Sequence, residues 1–571
     1  MDGLSMNRIN HFLCYSIAAF TSCGLLGAEQ PDFGLILNDD GDLAFISPDP
    51  AVSEAFLRAN VRGLAGSAFG TLVISIASGS DTLNYPTKVA SSVGWRKTKY
   101  EEGTSFWGPR MENARAGIAA GFDPIRTAGT EAKELGLYFL PSLRMNDSHF
   151  IFDPFNYPLT GKFWLENYNR LLIEDAPVSF RDGYGNLFNF AEPEVRQFRL
   201  DVISEAVDRY EDIIDGFELD FNRVQILFAR GEAEENAHLV TKLVREVREL
   251  LDRASSRQGR PMYLFVRIPP SLQDSDWAGL DVRTWIQEGL VDLVSPAQLM
   301  TLAQDMPIQD LIDIGKQHGV LIYPSLYPRT TWRWPLDPQA PAEGLIRMDR
   351  LATPEELMGA AAAYYAMGAD GFYLFNFYGV EQALRPYPDW FYAFTRSIST
   401  PKALEGAPLT YFITQTYYHD DADPSYAYRK QIPAPLNENG TDFTLRIGQS
   451  PKSGILPAEN CFIRLGANGQ GSDRAPIAVR INGFELEPSK GSVQDRAIDP
   501  AKSKKSRGAA THYWFYPIHD PSILEEGNNS ITISWAGNVT LTDLELGISY
   551  YNNLTHHWRR KPSPLNEGFR Q

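Results

Sequence analysis

Cysteine is scarce. The 571 residues hold three, and Cys14 and Cys23 both fall in the first 23 positions. Without that leader only Cys461 remains. An internal disulfide is then excluded, and the nine histidines form no Cys/His cluster spaced for a structural zinc. Positive charge is in deficit too: 53 Lys and Arg face 71 Asp and Glu, for a formal net charge of −18. Such a surface repels phosphate backbones and anionic lipid, which argues against nucleic acid or a membrane surface as a partner. Beyond the N-terminus no apolar run is long enough to span a bilayer. Solenoid repeats and low-complexity tracts are missing. So are Gly-x-Ser-x-Gly, a phosphate-binding loop and His-Glu-x-x-His, the usual signatures of serine hydrolases, nucleotide hydrolases and zinc proteases.

What is present starts with Arg8, then an apolar stretch over residues 12–26 and the small residues of Leu26-Gly27-Ala28 ahead of Glu29. This is the pattern of an export signal over residues 1–28, with Met6 as an alternative start, and it predicts a periplasmic or extracellular protein. A buried first strand or helix is the competing reading. The length suits two domains.

Short apolar runs at residues 33–37, 71–77, 137–143, 216–221, 263–268, 293–296, 320–325 and 371–377 read as eight strands. Amphipathic stretches lie between them. Residues 194–210 align Val195, Phe198, Val202, Ile203 and Val207. Residues 237–251 align Leu239, Val240, Leu243, Val244, Val247 and Leu251. Thr353-Pro354-Glu355-Glu356 opens a helix with a cap, a first-turn proline and acids at the positive end of the dipole. Strands alternating with helices predict a parallel sheet, and eight such units predict a (β/α)8 TIM barrel over residues 29–402, enlarged by insertions at 78–110 and 146–190. The pattern changes near Pro401–Pro408. Short alternating runs at 443–447, 461–465, 477–481, 512–516, 530–534 and 541–549 predict an antiparallel β-sandwich over 403–571, an accessory domain. Asn468-Gly469-Gln470-Gly471 and Glu526-Gly527-Asn528-Asn529 read as turns between them.

In such a barrel the chemistry lies at the C-terminal ends of the strands. The fourth strand ends Asp215-Gly-Phe-Glu-Leu-Asp-Phe-Asn-Arg223. Period two places Glu218, Asp220 and Asn222 on one face and Phe217, Leu219 and Phe221 on the other. Two carboxylates then point into the barrel, where crowding raises one pKa and supplies a general acid beside an ionised group. Structural pairing with Arg223, Arg267 or Arg144 is the alternative. The third strand ends in Arg144, Asn146, Asp147 and His149: a carboxylate-binding arm, a polar contact, a second carboxylate and a base, or else a capped loop start. Asn38-Asp39-Asp40-Gly41-Asp42 reads as a turn at Asp42 with Asp39 or Asp40 lining the site. Later strands add Arg267, Gln298, Tyr323, Ser325, Tyr327, Asn376 and Tyr378, suited to hydroxyl hydrogen bonds and ring stacking. Trp107, Trp332 and Trp334 are candidate sugar platforms or packing residues.

Gly34-Leu-Ile-Leu-Asn-Asp-Asp-Gly41, Ser142-Leu-Arg-Met-Asn-Asp-Ser-His149, Phe190-Ala-Glu-Pro-Glu-Val-Arg196 and the fourth-strand motif resemble bacterial proteins grouped as glycoside hydrolase-like family 10. The resemblance covers residues 33–400. It implies a TIM barrel, export and action on glycans, with the acidic motif falling on Glu218 and Asp220 and the third-strand motif on Arg144, Asn146, Asp147 and His149.

The leading expectation is therefore hydrolysis of an O-glycosidic bond by paired carboxyls, which needs no metal and no cofactor. One of Glu218 and Asp220 would be the general acid, and its partner would be the other, or Asp147 or Asp40. The substrate is a polysaccharide or oligosaccharide, and Arg144 and Arg267 leave room for an anionic one. Non-catalytic glycan binding on the same scaffold, and a polysaccharide lyase using His149 or a tyrosine as base, stand as alternatives.

Overall fold

Nine strands of the described residues share one parallel sheet: β1 (Leu35–Asp39), β2 (Phe69–Ser75), β3 (Tyr138–Arg144), β4 (Gly216–Asp220), β5 (Tyr263–Ile268), β6 (Leu293–Pro296), β7 (Leu321–Ile322), β8 (Ser325–Leu326) and β9 (Tyr373–Leu374). Their order is β7-β6-β5-β4-β3-β2-β1-β9-β8. The computed structural model describes residues 30–41, 44–79, 81–103, 107–147, 153–173, 187–298, 301–331, 350–375, 377, 389–413, 431–449, 460–487, 493–494 and 512–549. The leader at 1–28 and the candidates Asp42, His149, Trp332, Trp334, Asn376 and Tyr378 lie outside these residues. Described residues from Phe33 onward form one compact unit.

The sheet is curled, and the two ends of its order are consecutive in the chain. The run 320–325, expected as one strand, is two. Pro324 has no N–H to continue a ladder. The run therefore divides at Tyr323-Pro324: the Tyr323 amide donates to the Val294 carbonyl on β6 at 2.9 Å, and the Pro324 carbonyl accepts from the Tyr373 amide on β9 at 3.2 Å. The first strand also starts two residues later than its apolar run, so Asn38 and Asp39 belong to it.

Inward and outward faces alternate as period two requires. Leu37, Leu72, Ile74, Phe139, Leu143, Phe217, Leu219, Leu264, Val266 and Val294 pack in the large core shared with the helices. Ile36, Val73, Leu140, Phe265, Leu293, Tyr323, Tyr373 and Phe375 form a separate inner cluster. The helix Pro193–Tyr210 buries Val195, Phe198, Val202, Ile203 and Val207. The helix Ala233–Gln258 outruns its expected bounds at both ends and stops at Gly259, whose φ of 65° is cheap for glycine. In the helix Pro354–Met367 the expected cap is a full capping box: the Glu356 amide donates to Thr353 Oγ1 at 3.2 Å, and the Thr353 amide to Glu356 Oε2 at 2.8 Å.

Beyond residue 408 every described strand pair is antiparallel. One sheet orders Leu409–Phe412, Asn538–Ser549, Asn460–Gln470, His512–Pro517 and Val493–Gln494, with Ala434–Pro435 also on Asn538–Ser549. A four-stranded sheet orders Thr441–Ile447, Gly527–Ser534, Ala478–Ile481 and Phe484–Glu485. Two expected turns are largely strand, though the first still closes as a turn where the Ser472 amide donates to the Gly469 carbonyl at 3.2 Å. Asn468, Gly469 and Gln470 pair with Thr540, Val539 and Asn538, and Gly527, Asn528 and Asn529 pair with Ile447, Arg446 and Leu445. In the first of these Gly469 reaches a φ of 100° beside the Asn538 carbonyl, a place with no room for a side chain.

The helix Pro354–Met367 joins the two halves. It is buried nearly all round and made of small residues from Gly359 to Ala363. A Cβ at Gly359 would lie 2.1 Å from the Thr410 carbonyl oxygen, and one at Gly448 would lie 2.1 Å from the backbone of Ala362. Gln304 completes the seam, accepting from the Phe412 amide and donating to the Arg446 carbonyl, both at 3.0 Å. No described helix is long and apolar enough to cross a membrane.

Candidate active site

Parallel register sets the inner face in rows. Ser142, Glu218 and Phe265 lie side by side on β3, β4 and β5. One layer nearer the strands' C-terminal ends lie Arg144, Asp220, Arg267 and Ser295. The two carboxylates of β4 thus occupy different layers and differ in partners.

Glu218 is wholly buried. Its Oε1 accepts from Ser142 Oγ at 2.7 Å and from the Tyr373 hydroxyl at 2.9 Å, while Oε2 has no hydrogen-bond partner. Burial pushes its pKa up to about 7, with the Arg267 charge opposing and the Asp220 charge adding to the rise. Because two hydroxyls already donate to Oε1, the proton of the neutral acid belongs on Oε2. Burial also holds the Tyr373 hydroxyl well above its ordinary range, so it acts as a neutral donor.

Asp220 is engaged on both oxygens. Oδ1 accepts from the Asn222 amide at 2.9 Å and the Arg223 amide at 3.2 Å, and Oδ2 accepts from Arg267 Nη1 at 2.8 Å. Asp220 thus fixes the turn after β4 and anchors the arginine. Arg267 is itself wholly buried. Its guanidinium lies 3.9 Å from the Phe375 ring centroid and 5.1 Å from that of Tyr373, with Nε and Nη2 lacking hydrogen-bond partners. The Asn38 Oδ1, Asn222 Nδ2, Ser295 Oγ and Gln298 Oε1 atoms are buried without partners on the same inner face or its rim.

Arg144 bridges an acid of its own following loop to one after β1, with Nη2 at 2.5 Å from Asp40 Oδ1 and Nη1 at 3.0 Å from Asp147 Oδ2. Burial alone would lower its pKa; the charges of Asp40, Asp147 and Asp220 reverse that and hold it well above the ordinary range. It therefore takes the second role the sequence allowed, pairing with the site's own carboxylates. Asn146 is a staple: Nδ2 donates to the carbonyls of Phe188 at 2.9 Å and Ile226 at 2.7 Å, and Oδ1 accepts from the Phe188 amide at 3.1 Å. Both ends of its amide group are thus spent on the backbone of neighbouring loops. Asn222 Oδ1 accepts from Gln225 at 2.5 Å. Asp39, expected to line the site, accepts from the Gly41 amide at 2.8 Å and so shapes the turn after β1. Arg223, Gln298, Tyr323, Ser325 and Tyr327 are buried near the strand ends. Trp107 is half-buried, its ring edge-on to Tyr157 at 5.4 Å.

Sequence reasoning passed over the two hydroxyls on Glu218. The available signal was parity: Ser142 precedes Arg144 by two, and Tyr373 shares a face with Phe375. Among the described residues no group of three or more His, Cys, Asp or Glu side chains could hold a metal ion.

No family model matches the chain, and no curated protein matches it. Solved structures of similar outline exist at low identity. A cycloisomaltooligosaccharide glucanotransferase from Paenibacillus sp. is 11% identical, over 89% of this chain and 57% of that one, with a TM-score of 0.32. Chitinase ChiW from Paenibacillus sp. is 12% identical, over 89% and 52%, with a TM-score of 0.36. The glycoside hydrolase domain of PgaB (BpsB) from Bordetella bronchiseptica is 12% identical, over 65% and 97%, with a TM-score of 0.37. The chain thus spans little more than half the length of the first two.

Proposed function

We infer that this protein is a glycoside hydrolase in which Glu218 is the general acid. One observation carries the reading: a carboxyl held at about 7, with its protonated oxygen free of protein partners, lies one layer beneath an arginine-bound carboxylate. Glycosidic hydrolysis needs a proton donor at the leaving oxygen and a second carboxyl as nucleophile or base. Asp147 and Asp40, held by Arg144 at the strand ends, fit the second part better than Asp220, whose lone pairs serve the Asn222 and Arg223 amides and Arg267. Asp220 then positions Arg267, and hydrolysis requires the row of Arg144, Asp220 and Arg267 to part enough to admit a substrate oxygen to the buried Glu218 Oε2.

The same reading treats the curled sheet as a (β/α)8 barrel closed through the divided β7–β8 run, the two antiparallel sheets as a β-sandwich over 403–571, and the chain as an exported relative of glycoside hydrolase-like family 10. The substrate is a carbohydrate. A second reading, glycan binding without cleavage, is favoured by the complete burial of Glu218.

The test is reducing-end release from neutral, uronic and sulfated polysaccharides. Glu218→Gln should lower turnover by about 100-fold or more, the low end for loss of a general acid. Equal turnover by the variant would remove Glu218 from the chemistry. Binding without cleavage by the unaltered protein would establish the second reading.

A further inference from the structure

The insertions that follow β2 and β3 are locked together. The Asp81 carboxylate accepts from the amides of Gly161 at 2.5 Å and Trp164 at 3.0 Å, and Ser91 Oγ accepts from the Lys162 amide at 2.8 Å. Trp95 Nε1 donates to the Thr160 carbonyl at 3.1 Å. Arg96 pins the facing turn through the carbonyls of Phe155 at 2.8 Å and of Pro154 and Tyr157 at 3.2 Å.

Three large rings stand out of this joint: Trp95 is 39% exposed, Phe155 50% and Tyr168 43%. They are neighbours. The Arg96 guanidinium that holds the Phe155 turn sits 5.4 Å from the Trp95 ring centroid, and Phe155 meets Tyr168 edge-on at 4.9 Å. They are also rigid, since Tyr168 stacks on the buried Trp164 at 5.7 Å and 18°. Exposed rings fixed in this way bind with little further loss of conformational freedom, and a clustered apolar exposure marks an interaction site.

Charge and position select the occupant. Around the rings Lys99 pairs with Asp153 at 2.5 Å, Lys162 with Glu166 at 3.6 Å and Arg170 with Glu194 at 2.6 Å; Arg96, the cation against Trp95, spends its donors on three backbone carbonyls in the field of Asp81, Asp153 and Glu101, so the patch offers aromatic faces in a nearly neutral polar frame. That suits the C–H face of an uncharged pyranose better than a uronate, a sulfated sugar or a continuous apolar protein surface. Both insertions leave the sheet at the C-terminal ends of their strands, the end that carries Asp220 and Arg144.

We propose that Trp95, Phe155 and Tyr168 form a binding subsite for a neutral polysaccharide, holding the chain at the rim while one of its bonds enters the barrel. The cleavage half of this statement rests on the hydrolase reading; the binding half does not. The test uses the full chain carrying Glu218→Gln, so that nothing is cut. Its retardation is measured in native gels containing hydroxyethylcellulose, xyloglucan, glucomannan, soluble starch or polygalacturonate. At least one neutral polymer should retard it, and Trp95→Ala with Tyr168→Ala should weaken that affinity about tenfold or more. Trp95→Phe, which keeps a ring, should restore most of it at an unchanged melting temperature. Retardation by polygalacturonate alone, by no polymer, or equally with and without the rings overturns the proposal. Cleavage by the unaltered chain combined with ring-independent binding would sink the subsite and leave the hydrolase standing. Ring-dependent binding with no cleavage of any polymer would do the reverse.

Discussion

Two buried arginines face a carboxylate on the next strand, and they are used differently. In the C-terminal sheet Arg464 lies opposite Glu545, with Nε donating to Oε2 at 2.9 Å, Nη2 donating to Oε1, and the Tyr513 ring 4.6 Å away. In the parallel sheet Arg267 lies opposite Asp220, yet a single nitrogen, Nη1, reaches it. One methylene separates the two acids. The longer glutamate meets the guanidinium fork to fork; the shorter aspartate spends its other oxygen on the backbone of its own turn. The bidentate pair is a structural pin. The one-point pair leaves Nε and Nη2 without partners beside Phe375 and places a cation near a carboxyl that burial raises to about 7, an arrangement that serves the proposed reaction better than it serves a brace.

The largest expected effect is on the pin. Arg464→Met strands Glu545 in the interior and should cost about 3–5 kcal/mol in urea unfolding; a loss no larger than that of Arg267→Met would equate the two pairs. Next comes Glu218. Its folded pKa of about 7 lies above the ordinary 4.5, so folding favours the neutral form. That contribution is complete below pH 4.5 and disappears as pH rises to 7, a change of roughly 3 kcal/mol. Glu218→Gln should flatten the corresponding slope of stability against pH, and an unchanged slope would place the carboxyl in an ordinary environment. Arg267→Met should cost less than Arg464→Met, roughly 1–3 kcal/mol, because Asp220 keeps its two backbone donors. It should also carry the alkaline limit of activity upward, since the lost cation favoured ionised Glu218; a limit that stays in place would mean that another group controls it. The smallest change is Glu545→Asp, which converts the pin to the one-point form. A loss of about 1–2 kcal/mol is expected by thermal unfolding, and no loss would show that the second contact contributes nothing.

The inward face of β4 was legible in the sequence because alternation in a strand is a local property: Glu218, Asp220 and Asn222 needed only their five-residue window. The capping box at Thr353 and Glu356 was legible for the same reason. Glu218's partners were not, since Tyr373 lies 155 residues away and Ser142 76 residues away, and only register brings them together. Arg144 and Asn146 read as substrate contacts because polar residues at a strand end look alike until their partners are known. The pairing of Asn468–Gln470 was hidden by glycines that signal a turn in isolation but here admit the close backbone of Asn538.

The small-residue helix Pro354–Met367 bears on modularity. Helix and sheet meet at Gly359 with no side chain between them, and Gln304 spends both ends of its amide on the C-terminal strands. A chain cut near residue 405 would bare a flank of alanines and orphan that glutamine, so the first four hundred residues should not survive as a free-standing unit. Recombination between relatives would then have to exchange the parallel and antiparallel halves together, with Gly359 on one side and Gly448 on the other both kept free of a side chain.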